Sequence, residues 1–193
     1  MLRKTTILLL FSLFATVQVK AQWFDLAMFF LGSPGMQYGA VEFKATSIHG
    51  EPLLLYGGKI GVPITDKWML GGDYRIGRSA FQDWVFKDAY DVIYASGGLS
   101  AEYKFREKGP FLLSMPVNAG IGRVILIRQG GGFTRVTDFF AFEPGVNASI
   151  NPTGNWRIGM GLSFRSSLGS RLQVLPDHRM ASPAYTVYTS WGF

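Results

Sequence analysis

The sequence contains no cysteine, which excludes a disulfide framework and any thiolate-held metal. It has only two histidines, His49 and His178, so imidazole chemistry has little to draw on. Charge is also scarce, at 17% of residues. No cluster of His, Asp and Glu has metal-ligand spacing, and we expect no metal and no cofactor. Long hydrophobic runs are missing too. The apolar run Ile7–Val17 is about eleven residues against the roughly twenty of a spanning helix.

That run has a different use. Arg3 and Lys4 precede it, and Val19-Lys20-Ala21 follow it. A basic head, a short apolar middle and a small residue at the exit read as a secretory signal peptide over 1–21. Arg3, Lys4 and Lys20 would leave with it and no acid would, so 19 bases become 16 against 13 acids. The formal charge of +6 falls to about +3, too weak a bias to argue for nucleic acid as a partner. The remaining chain is one domain's length.

Glycine and aromatic residues are abundant: 24 glycines, and 15% of the chain is Phe, Trp or Tyr. The pattern they make is alternation. In WRIGMGLSFRSS, Trp156, Ile158, Met160, Leu162 and Phe164 share one face, with Arg157, Gly159, Gly161, Ser163 and Arg165 on the other. That period of two is a β-strand. The same template predicts strands over 36–47, 53–64, 68–79, 92–105, 111–127, 136–150, 156–167 and 184–193. Connectors alternate in length. TDK (65–67), REKGP (106–110) and NPTGN (151–155) are tight and rich in turn formers. Segments 80–91, 128–135 and 168–183 are longer, and His49–Pro52 is short.

The faces of these strands differ consistently. One carries Val41, Phe43, Tyr56, Leu70, Tyr74, Leu99, Ile121, Phe140, Phe142 and Val146 with no charge among them. The other carries Glu42, Lys44, Lys59, Asp73, Arg75, Glu102, Lys104, Glu143, Arg157 and Arg165. In a water-soluble sandwich the charged face would be the wet surface. In a membrane barrel the charged face turns into the lumen and the apolar face meets lipid. Aromatics beside the short turns (Trp68, Tyr103, Phe105, Phe111, Trp156) favour the second reading, because they fall where a barrel wears an interfacial girdle. The expected fold is all-β: a closed antiparallel up-and-down transmembrane β-barrel of about eight strands over 36–193. Even parity puts both termini on the short-turn side, the periplasmic side of a bacterial outer membrane, with the long loops extracellular. Segment 22–35, apolar apart from Asp25, reads as an interfacial helix, an early part of the first strand or an additional strand.

Alternation continues to the last residue. Tyr185, Val187, Thr189, Trp191 and Phe193 fall on one face, as closure of a barrel requires, since an open edge in hydrocarbon strands its N–H and C=O groups. This ending resembles the C-terminal signature of bacterial outer-membrane proteins. The resemblance implies that the barrel-assembly machinery reads Tyr185, Trp191 and Phe193. The general plan is similar to small eight-stranded barrels of the OmpA, OmpX and OmpW type, and residues 142–165 resemble a hairpin common among small barrels. No activity follows from either likeness.

The ten lumen charges admit two functions. They fill the tube as paired structural groups, or they line a narrow, porin-like polar path. Arg123 shares the apolar face of its strand, and a bulge within AGIGR is expected to turn it inward. Gly71-Gly72 and Gly97-Gly98 are expected to ease curvature or make room for lumen side chains. Gln129–Phe133 (QGGGF) lacks the Lys-Ser/Thr of a phosphate-binding loop. An acyl hydrolase or transferase acting on membrane lipid would need Ser47, Ser167, Ser170 or Ser182 to converge with His49 or His178 and with Glu51 or Asp177. No such motif is recognisable, and we assign no catalytic residue. Segment 80–91 is unusually aromatic, and Phe81, Trp84, Phe86 and Tyr90 are candidate contacts to an extracellular protein, glycan or lipid. The same residues also suit strands standing above the membrane. Arg171 and Arg179 are candidates for anionic headgroups.

Overall fold

In a computed structural model, residues 38–82, 89–129, 134–153, 155–170, 172 and 174–192 are described. Segment 22–35, Trp84, Phe86, Arg171 and Phe193 lie outside them. The described residues form β1 (Tyr38–Ile48), β2 (Glu51–Pro63), β3 (Trp68–Gln82), β4 (Ala89–Lys108), β5 (Phe111–Arg128), β6 (Thr134–Ile150), β7 (Trp156–Leu168) and β8 (Ser182–Trp191), with one helical turn, α1 (Asp177–Met180), before β8. Every neighbouring pair is antiparallel, and β8 pairs with β1 from Gly39↔Trp191 to Ala45↔Tyr185. The sheet is a closed eight-stranded barrel. Among the described residues closure leaves no open edge where all eight strands pair, so the backbone polar groups there are satisfied within the sheet.

The two faces are sorted as the alternation demands. Phe43, Leu54, Tyr56, Leu99, Ile121, Met160, Tyr185 and Val187 point outward and are exposed. Glu42, Lys44, Lys59, Asp73, Arg75, Glu102, Glu143, Arg157 and Arg165 are buried in the tube. An apolar belt of this extent is untenable in water and suited to hydrocarbon. Trp68, Phe105, Phe111, Trp156 and Trp191 are all exposed at the short-turn end. Trp68 packs on Tyr103 with ring centroids 4.9 Å apart, and Trp156 Nε1 donates to Thr189 Oγ1 at 2.6 Å.

The wall is uneven in height. Between β1 and β2 the chain turns on His49 (φ 56) and Gly50 (φ 84), two left-handed residues as a two-residue hairpin of type I′ requires. There β1 has 11 residues, about a tilted membrane span. By contrast β4 has 20 and β5 has 18. The β6–β7 pairing ends at Phe140↔Leu168, while β6 runs on to Thr134. The β3–β6 side therefore stands above the β7–β8–β1–β2 side.

Two expectations are corrected here. Segment 80–91 is strand at its described ends, 80–82 and 89–91, because β3 and β4 extend into it and pair Phe81 with Tyr90. Both rings point into the barrel and are buried, so neither is an exposed loop contact. Arg123 stays outward, since β5 has no bulge at AGIGR. It binds Asp138 on β6, with Nε 2.6 Å from Oδ1, and this lateral partner removes the need to turn inward. The irregularity in the pairing of β4 with β5 lies instead on β4, between Lys104 and Arg106.

Candidate functional site

Inward positions midway along the strands bring together side chains far apart in sequence. Glu42 and Lys44 come from β1, Lys59 from β2, Asp73 and Arg75 from β3, and Glu143 from β6. Lys59 Nζ lies 2.9 Å from Glu42 Oε1. The Arg75 guanidinium reaches Asp73 at 2.9 Å, Glu42 at 3.3 Å and Glu143 at 3.5 Å. Lys44 is in direct contact with Glu143, which also accepts from Ser163 Oγ at 2.5 Å. These three acids and three bases are each at most 6% exposed. Isolated, any one of them would carry a large desolvation penalty; in mutual contact each charge has a partner. Beside Asp73, Arg75, Tyr94, Asn118 and Glu143 a void of about 10 Å³ is left, room for one water and too little for a hydrated ion.

The other four expected lumen charges lie apart from this layer. Glu102 accepts from Ser114 Oγ at 2.5 Å. Arg157 is 3.7 Å from Glu107, a half-exposed carboxylate near the short turns, and Lys104 is only partly buried toward the same end. Arg165 sits near the opposite mouth, 1% exposed. Its Nη2 donates to the Ser47 carbonyl at 2.7 Å and its Nε to that of Met180 at 3.2 Å. The guanidinium also covers the Tyr94 ring at 4.9 Å.

Above the charged layer the lumen turns apolar, a feature absent from the sequence-based expectation. Ile48, Leu53, Leu55, Phe81, Tyr90, Val92, Tyr94, Val124, Leu126 and Phe139 form one buried cluster with Val174, Leu175 and Met180. The last three belong to the segment between β7 and β8, which folds back into the mouth as a stopper. Asp177 fixes that segment by accepting from Gly169 N–H at 3.0 Å and Ser170 N–H at 2.7 Å. A signal for this cluster exists in VIY (92–94) and VILI (124–127). Both faces are apolar there, so alternation fades where the interior is oily.

The residues weighed for acyl chemistry do approach one another without forming a relay. Ser47, His49, His178 and Ser182 line one groove at the stopper's edge. Ser182 Oγ, however, lies 2.6 Å from Thr46 Oγ1 and donates to the Ser47 carbonyl at 2.9 Å. Asp177 is engaged with backbone, as above. The His49 ring stacks on Phe81 with centroids 4.4 Å apart, and its Nε2 contacts Arg179 Nη1. Ser182, His49 and Asp177 thus have other partners. Among the described residues no group of three His, Asp or Glu could hold a metal ion. Tyr185 and Trp191 point outward and are exposed.

No protein-family model matches the sequence, and no curated protein matches it. Solved structures do match. Neisserial surface protein A is 12% identical with a TM-score of 0.60, over 82% of this chain and 96% of that one. The N-terminal β-barrel domain of Pseudomonas aeruginosa OprF is 18% identical with a TM-score of 0.52, over 82% and 99%. Ail, the attachment invasion locus protein of Yersinia pestis, is 16% identical with a TM-score of 0.50, over 82% and 99%. Identities this low speak to architecture alone. With eight antiparallel strands, a closed sheet and an outward apolar belt, the chain has the fold of the small outer-membrane β-barrels.

Proposed function

We propose that this protein is a non-enzymatic β-barrel of a bacterial outer membrane, with a sealed lumen and its working surface at the long-loop end. The observation that carries this reading is the double closure of the tube. A layer of six paired charges fills its middle, and an apolar stopper fills its mouth. A barrel of eight strands has an interior just wide enough for its own side chains to fill, which leaves the outer surface for contacts. The described ends, Tyr38 and Gly192, lie at the short-turn end, where Gly192 N–H donates to the Asn155 carbonyl at 3.1 Å. In this reading that end is periplasmic, the chain enters by a signal peptide over 1–21, and Tyr185, Trp191 and Phe193 present the assembly signal. Lipid is the standing partner, and a protein, glycan or lipid ligand meets the outer surface.

Two measurements test it. In planar bilayers the refolded barrel is expected to give no conductance above bare-lipid leak, and steady unitary steps would overturn the sealed lumen. The chain has no cysteine, so single introduced thiols report sidedness cleanly. Glu51→Cys should react with an impermeant maleimide on intact cells, and Asp66→Cys only after the outer membrane is permeabilised. The reverse pattern would overturn the orientation.

A further inference from the structure

The groove beside the stopper has a volume of about 480 Å³, within the range of small-molecule sites. Ser47, His49 and Gly50 of the β1–β2 hairpin form one bank; His178, Arg179 and Ser182 form the other. His49 N–H donates to the Arg179 carbonyl at 2.7 Å, which ties the banks together. Among the described residues no carboxylate lines it. Asp177, next to His178, is turned to Gly169 and Ser170.

Arg165 lies beneath this groove, and its environment differs from that of the paired lumen charges. Its Nη2 is bonded to two groove residues, through the Ser47 carbonyl at 2.7 Å and Ser182 Oγ at 3.5 Å. The Nη1 of the same buried guanidinium has no hydrogen-bond partner, and no carboxylate lies within ion-pair distance of Arg165 among the described residues. A buried cation without a counter-ion projects its charge through a poorly screening medium. Here the surface above it carries a second cation, Arg179.

We propose that this groove binds a phosphate monoester carried on the headgroup of a lipid in the adjacent leaflet. The guanidinium of Arg179, whose Nη1 already contacts His49 Nε2, offers its remaining N–H donors to phosphate oxygens, the imidazole of His178 and the hydroxyl of Ser47 supply further donors, and Arg165 supplies charge from below. The low wall selects the carrier. Since β1 is only about as long as a tilted span, the His49–Gly50 turn emerges at headgroup level, and a lipid beside β1 and β2 reaches the groove laterally. The assignment of that leaflet as the outer one rests on the orientation proposed above; the binding itself does not.

The test uses the full barrel refolded in phosphatidylcholine nanodiscs. Spin-labelled phosphatidic acid should show a higher relative association constant than spin-labelled phosphatidylcholine. Arg179→Gln should lower that preference about fivefold, as for a partly exposed charge-assisted contact, and His178→Ala should lower it less. Lys67→Gln, at the short-turn end, should leave it unchanged. Added salt should weaken the preference. Inorganic phosphate that displaces the labelled lipid at low concentration would support phosphate recognition and overturn the lipid as its carrier. A preference equal in wild type and Arg179→Gln would overturn the site. These outcomes are independent of the cell-labelling result, so the two readings fail separately.

Discussion

Arg75 Nη1 stands 2.9 Å from Asp73 Oδ2, two residues away on the same inward face of β3. The same guanidinium spans to Glu42 on β1 and Glu143 on β6, so one side chain ties three carboxylates across the tube. Arg75→Met should therefore cost more than loss of either lysine, on the order of 3–5 kcal/mol, because it leaves three buried acids facing two ammonium groups. Arg75→Lys should recover only part of this, since a point charge cannot bridge three partners. Urea unfolding in lipid vesicles, followed by loss of the compact band on unheated gels, measures both.

The stopper is expected to be separable from the barrel. Leu175 is fully buried in the apolar mouth, and Leu175→Asp should expel the segment between β7 and β8 by placing a carboxylate among hydrocarbon side chains. Trypsin should then cut after Arg179 far faster than in the wild type, while the eight strands stay intact. Conductance should stay at leak level, because the charged layer still fills the tube. Fast cutting together with steady current would show that the stopper alone seals it.

One glycine makes room for one ring. A Cβ added at Gly122 would fall 2.1 Å from Phe139 Cζ. Gly122→Ala is expected to destabilise the barrel by about 1–3 kcal/mol through overpacking. Shortening the ring's side chain in Gly122→Ala/Phe139→Leu should restore much of that. Non-additivity in the unfolding free energies is the readout.

The lipid-facing belt gives a depth-dependent expectation. Leu99 is 72% exposed on the outward face of β4, between turn and mouth. Leu99→Arg should cost about 2–4 kcal/mol of folding free energy in vesicles, the range for a cation near the bilayer midplane. A substitution without cost would mean that Leu99 does not face hydrocarbon.

The strands were legible because their alternation is clean wherever the outside is oily and the inside charged, as along Val41–Lys44 or Trp156–Arg165. Barrel closure followed from the same pattern carried through to Trp191. The apolar mouth was not legible, because Val92 and Tyr94 alternate with Ile93, and Val124 and Leu126 with Ile125. Inside and outside look alike there, and periodicity carries no sign. Arg123 misled for a related reason: its partner Asp138 lies on the next strand, and a single-strand pattern has no register. The groove was beyond sequence reach, since His49 and Arg179 are 130 positions apart and meet only when β8 closes onto β1.

The six paired lumen residues sum to no net charge. A voltage across the bilayer acts on net charge, at roughly 2.3 kcal/mol per elementary charge for each 100 mV, so it exerts no net pull on this plug. If the lumen is sealed as proposed, Donnan and diffusion potentials that come and go at the envelope would leave this layer seated.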